Sequence, residues 1–119
     1  MNHTIKLRQI ASARSGDKGN HANVGVVAHS PVAFDFLSRI LTTELIHQHL
    51  GHLGVSRVER FELPRLWGLN FLLYDALAGG ASQSLRIDSQ GKLIGTLVMD
   101  LDLPINDHEF ALLNRPSVR

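Results

Sequence analysis

The stretch Asn23-Val24-Gly25-Val26-Val27-Ala28, followed after His29 by Ser30-Pro31, decides the fold. Its first six residues are β-branched or small and nearly continuous in apolar character, which predicts a buried central strand. Ser30 then supplies a helix N-cap, and Pro31 takes the first helical position, where a missing N–H costs nothing. Beyond it Phe34, Leu37, Leu41 and Leu45 recur at three- and four-residue spacing. They predict a core-facing stripe on one helix of about 18 residues. Asp35 and Arg39 form an i,i+4 pair on that helix, and Gly51 and Gly54 end it. Val55 to Leu63 predicts the next strand, stopped by Pro64. A strand–helix–strand unit of this kind predicts a right-handed parallel crossover.

Upstream, Thr4 to Ala13 alternates, with Ile5, Leu7, Gln9 and Ala11 on one face, and predicts another strand. Between the two strands runs Arg14-Ser15-Gly16-Asp17-Lys18-Gly19-Asn20-His21-Ala22-Asn23. A plain surface turn needs only about two to five residues. Gly16 and Gly19 permit left-handed backbone angles, and successive N–H groups in such a turn converge into an anion-binding nest. Lys18 adds a charge and Arg14 a bidentate fork. Asn20 and Asn23 supply amides that orient a carbonyl or carboxylate, and Asp17 is either a base or the residue that holds Lys18. Arg14, Ser15, Gly16, Gly19, Asn20 and Asn23 are therefore the candidate ligand contacts, with Asp17 and Lys18 the candidate catalytic pair. The same residues also make an ordinary turn, with Asx-turns and a solvated Asp17–Lys18 pair. The run lacks the Walker pattern. Ser15, Asp17 and His21 lie close in sequence, but a triad is defined by geometry.

Downstream, Leu69 to Leu77 predicts a shorter helix capped by Asn70 and closed by Gly79-Gly80. Gly79, Gly80, Ser82 and Ser84 form a second small-residue loop. It is expected to share a concave surface with the first loop and with Asn70. A ligand there is expected to be anionic, because donors and cations outnumber carboxylates in the combined set. Ser84 to Asp88 and Leu93 to Leu103 predict two strands around a Ser89-Gln90-Gly91 hairpin loop. Asn106 to Arg119 predicts a loosely held tail. The element order β-β-α-β-α-β-β gives a single domain over residues 1–119, a two-layer α+β sandwich with helices on one face of a mixed sheet.

Composition narrows the function. The 119 residues carry a net charge of +1 and no cysteine, which removes disulfides, thiolate catalysis and thiolate metal sites. A mean hydropathy of +0.01 and short apolar segments leave no membrane span. The first residues lack the charged region and apolar run of a signal peptide, so a cytoplasmic protein is the default. Residues 1–65 hold 8 Lys and Arg against 5 Asp and Glu, and residues 66–119 hold 4 against 6. That asymmetry is too mild for a nucleic-acid footprint. His47, His49 and His52 cluster near the end of the long helix, but no nearby carboxylate completes a metal set. No metal and no cofactor are expected.

Ala13-Arg14-Ser15-Gly16-Asp17-Lys18-Gly19-Asn20, followed by Ala22-Asn23-Val24-Gly25-Val26, closely resembles the opening of the AtuA-like domain of the acyclic terpene utilisation family. Glu62-Leu63-Pro64, Leu69-Asn70-Phe71, Ala76-Leu77 with Gly79-Gly80, Ser84-Leu85-Arg86, Asp88 and Gly91-Lys92 agree in order and spacing. The resemblance spans residues 5 to 103. In that family the small domain occurs fused behind a much larger AtuA domain or as a separate short protein, and this chain resembles the separate form. The resemblance implies a ferredoxin-like α+β fold and a setting in acyl-CoA catabolism, in the breakdown of acyclic terpenes or branched acids. It carries over no catalytic residue.

Three functions follow as expectations. The first is an accessory subunit that binds a large AtuA-type protein and completes its active site. The second is a self-contained hydratase-type enzyme acting on an acyl-CoA or a carboxylate, with Asp17 as base and Lys18 stabilising an oxyanion. The third is an assembly module without a ligand. Exposed sheet edges favour a homo-oligomer or a hetero-complex.

Overall fold

The computed structural model of the chain describes residues 3–18, 21–76 and 92–113. Within them the strands are β1 (His3–Lys6), β2 (Ala11–Lys18), β3 (His21–Ala28), β4 (Arg57–Leu63), β5 (Gly68–Tyr74) and β6 (Asp102–Ile105). The α-helices are α1 (Pro31–Ile40), α2 (Thr43–Leu50), α3 (Lys92–Met99) and α4 (Asp107–Leu113). Four strands form one sheet in the order β2-β3-β5-β4, and β1 pairs with β6 in a second, smaller sheet. Every ladder among the described residues is antiparallel. The mixed sheet expected from sequence is thereby corrected. β3 and β4 do run the same way, since each is antiparallel to β5, but β5 lies between them. The crossover is split rather than closed on neighbouring strands.

Alternation sorts the large sheet into two faces. Ala22, Val24 and Val26 of β3 stand opposite Leu73, Phe71 and Leu69 of β5, and all six are buried. This face receives the helices. Ala33, Phe36 and Leu37 of α1, Ile46 and Leu50 of α2, and Ile94 and Val98 of α3 complete one core with it. Arg60 of β4 points to the same side and donates to the Ser38 and Leu41 carbonyls at 2.8 and 3.1 Å. Those carbonyls end α1 and have no partner within the helix.

Several expectations are corrected here. The long helix is two helices, because Thr42 caps the second: its Oγ1 accepts the Leu45 N–H at 3.1 Å. Leu37 and Leu41 are buried, whereas Phe34 and Leu45 pack only partly against the core. Arg39 pairs with Glu109 of α4 instead of Asp35. The Ser30 cap stands as expected, accepting the Ala33 N–H at 3.1 Å. Leu69 to Leu77 is not a helix. Its first six residues lie in β5, whose burial repeats every second residue once the strand sits between β3 and β4. Leu93 to Leu103 is not one strand either. Ile94, Val98 and Leu101 recur at helical spacing and are buried, so the segment divides into α3 and β6. Thr4 to Ala13 is interrupted by a 3-10 turn at Leu7–Gln9.

The expected tail contains α4, started by a capping box. Asn106 Oδ1 accepts the Glu109 N–H at 2.8 Å, and Glu109 Oε1 accepts the Asn106 N–H at 3.2 Å. The predicted hairpin at Ser84–Gly91 lies outside the described residues. No helix among the described residues is long and apolar enough to cross a membrane.

Candidate functional site

The polar run of Arg14 to Asn23 is a β-hairpin rather than a free loop. β2 and β3 pair in register from Ala11↔Ala28 to Lys18↔His21. Successive residues of the run therefore face opposite ways, and the candidate set splits. Ser15 turns toward the helices, where its Oγ accepts the Gly95 N–H of α3 at 3.1 Å. It lines a groove of about 570 Å³ beside α3 with Ala13, Arg14, Gly95, Thr96 and Met99. Arg14, Gly16 and Asn23 belong to the other face of the sheet.

That second face carries the site. Asn70, expected to cap a helix, stands in register with Gly25 on β5, and Gly25 pairs with Arg14 across β2. Asn23 Nδ2 donates to Asn70 Oδ1 at 3.2 Å. Both amides lie over glycines. A Cβ on Gly16 would come within 3.3 Å of Asn23 Oδ1, and one on Gly25 within 3.6 Å of Asn70 Oδ1. At Gly16 a side chain would make the Asn23 amide give way, whereas at Gly25 a Cβ would meet Asn70 at ordinary contact distance. The result is a flat polar shelf of two joined amides; Arg14 neighbours it in register, and its exposed side chain also lines the groove beside α3. Unused amide donors and a guanidinium together suit a planar oxyanion.

The shelf continues along β3 and β5 to His21 and Tyr74, which meet edge to face at 5.0 Å between ring centres. Tyr74 O–H donates to Glu59 Oε1 at 2.7 Å, and the Arg57 guanidinium lies 4.1 Å above the Tyr74 ring. In the opposite direction the face turns apolar. Val27, Phe61, Leu63, Leu66 and Trp67 are between 40% and 64% exposed. Among the described residues, no helix packs on this face.

The family model of the AtuA ferredoxin-like domain matches residues 5–104. The chain belongs to that family. No curated protein and no solved structure matches it. The expected α+β, ferredoxin-like architecture is thus the fold of this AtuA ferredoxin-like chain.

The remaining candidates divide plainly. Gly19, Asn20, Gly79, Gly80, Ser82 and Ser84 lie outside the described residues, as do the side chains of Asp17 and Lys18. The histidine cluster has structural work. His47 Nε2 lies 2.9 Å from the Val55 carbonyl and His49 Nε2 2.8 Å from the Leu97 carbonyl, and a carbonyl can only accept. Sequence reasoning missed Gly25, Phe61, Glu59 and Tyr74 as neighbours of the site. Reading Leu69–Tyr74 as a strand would have found them, because its alternation puts Asn70, Leu72 and Tyr74 on one face.

Proposed function

We propose that this domain is an accessory module. It docks on a large AtuA-type protein through the open sheet face and supplies Arg14, Asn23 and Asn70 to a shared site for an acyl-CoA or carboxylate ligand. One observation carries the reading: a face on which no described helix packs holds both an apolar strip and an amide–guanidinium shelf. An apolar patch rimmed by polar groups is the usual character of an interface. A flat sheet gives a small ligand too little enclosure by itself, since ligand sites bury most of the ligand's surface. A second surface laid over the shelf would supply that enclosure, and would strengthen each polar contact by excluding water.

The test is reconstitution with the large protein. Wild-type chain should co-purify with it and raise its activity. Phe61→Glu should abolish both, because it sets a charge in the apolar strip. Arg14→Ala should leave binding within about threefold while lowering activity at least tenfold. Full activity of the large protein alone, with no binding of this chain, refutes the reading.

A further inference from the structure

The imidazole of His21 is held in one tautomer by a backbone contact. The Asp75 N–H donates to His21 Nδ1 at 2.9 Å. Nδ1 must therefore offer its lone pair, and the ring proton of the neutral imidazole resides on Nε2. Asp75 takes a left-handed backbone angle, φ 65°, to place that N–H. It is fastened there: Ser56 Oγ donates to its carboxylate at 2.6 Å, and the Ser56 N–H donates to the Tyr74 carbonyl at 3.0 Å. Tyr74 in turn buttresses the ring edge and is tied to Glu59. The ring is thus fixed in position, orientation and tautomer by neighbours that belong to two strands, β4 and β5, or their ends.

We infer that His21 is an oxygen-binding residue of the site, donating from Nε2–H to a carbonyl or carboxylate oxygen of the ligand. The inference rests on reading the open face as the ligand face. A neutral imidazole with its other nitrogen occupied cannot serve as a base at Nε2. It can polarise a carbonyl, and it does so without carrying a charge that must be desolvated. His21 lies two residues from Asn23 on the same face, about 7 Å along the strand. A carboxylate or an acyl thioester has the oxygen acceptor that this donor needs, and a second oxygen function about 7 Å away would reach the amide shelf. Among the described side chains, the charged groups around the ring are the Asp75 carboxylate, 3.9 Å from Nδ1, and the Arg57–Glu59 pair beyond Tyr74; Lys18 is the register partner of His21 on β2.

Ring-¹⁵N-labelled histidine in the intact chain reads the tautomer directly by NMR. At neutral pH His21 should show the proton on Nε2. Titration of the labelled chain in complex with the large AtuA-type protein, using butyrate, butyryl-CoA and free CoA, then distinguishes carboxylate, thioester and nucleotide as the source of binding, and the lack of a saturable response to all three overturns the inference. Butyrate or butyryl-CoA should shift the Nε2–H resonance saturably. His21→Phe, which keeps the ring edge against Tyr74, should weaken that probe at least tenfold with an unchanged amide spectrum. A proton on Nδ1, equal affinity in His21→Phe, or a response to free CoA alone overturns the inference. Docking is read separately: if Phe61→Glu abolishes partner binding while His21→Phe reconstitutes full activity, the docking reading stands and this one falls.

Discussion

Replacing Gly95 by alanine tests the packing of α3 on β2 in a way that separates two opposing effects. In a helix interior, glycine to alanine stabilises by up to about 1 kcal/mol. Here the added Cβ would meet Ser15 Oγ at 3.2 Å, Ser15 N at 3.6 Å and Ser15 Cβ at 3.8 Å. The hydroxyl is the close contact, and it is pinned because it accepts the Gly95 N–H at 3.1 Å. The hydroxyl either moves and loses that bond, about 1 kcal/mol, or stays and is overpacked at a cost of about 1–3 kcal/mol. The net expectation is a loss of about 0.5–2 kcal/mol for Gly95→Ala in the wild-type background. In a Ser15→Ala background the obstructing oxygen is gone, and Gly95→Ala should be neutral or stabilise by up to about 1 kcal/mol. The coupling energy of the cycle should thus be about 1–2 kcal/mol, measured from urea midpoints at constant slope. Additive effects within about 0.5 kcal/mol would show that α3 does not sit on Ser15. A segment in strand conformation, as alternation of Leu97, Met99, Leu101 and Leu103 suggests, would give such additivity.

Leu41, fully buried at the junction of α1 and α2, should cost about 2–5 kcal/mol when cut to alanine, read by urea denaturation. A cost below about 1 kcal/mol would show that the junction faces solvent. Burial pushes the Glu109 carboxyl up, but the Asn106 N–H and the Arg39 guanidinium outweigh it and hold the group below the usual carboxylate range. Its folded pKa is lowered, so its contribution is complete above the unfolded pKa of about 4.3 and fades as the pH falls through the folded value. Glu109→Gln should therefore lower stability by about 0.5–1 kcal/mol at pH 7 and by less at pH 3, followed by thermal melting across that range. An equal loss at both pH values would detach the effect from the carboxylate.

Much of the fold was legible where local signals were strong. Ser30-Pro31 started a helix, Gly51 and Gly54 closed one, and Pro64 stopped β4 because each acts through its own backbone. The errors fell on segments whose periodicity is ambiguous. Leu69-Asn70-Phe71-Leu72-Leu73-Tyr74 places apolar residues at both two- and four-residue spacing, and pairing with β3 and β4 on either side decides for the strand. Around α3 the helical set Ile94, Val98 and Leu101 competed with an alternating set over the same segment, and packing against β2 selected the first. For the candidate site, composition pointed to Arg14, Gly16 and Asn23, and reading them as a loop concealed that the register puts them on one face of the sheet. Hairpin register is a property of two strands, so the separation of Ser15 from Arg14 emerges only once β2 is paired.

Under the proposed docking, the amide shelf would gain from a covering surface. A hydrogen bond between two half-buried amides, such as Asn23 to Asn70, adds only about 0.5–1.5 kcal/mol, because water competes for both groups. β-Branched residues at Gly16 and Gly25 would suit strands better and would support the sheet by more than glycine does. The sequence thus gives up strand propensity at two adjacent positions to lay a weak hydrogen bond flat on an open face. That exchange is unfavourable for the isolated sheet. It becomes favourable if a partner surface removes the water, since the same amides and the Arg14 fork then act in a medium of lower dielectric, where polar contacts both strengthen and discriminate. The cost of Gly16→Val should accordingly appear in reconstituted activity rather than in the stability of the free chain.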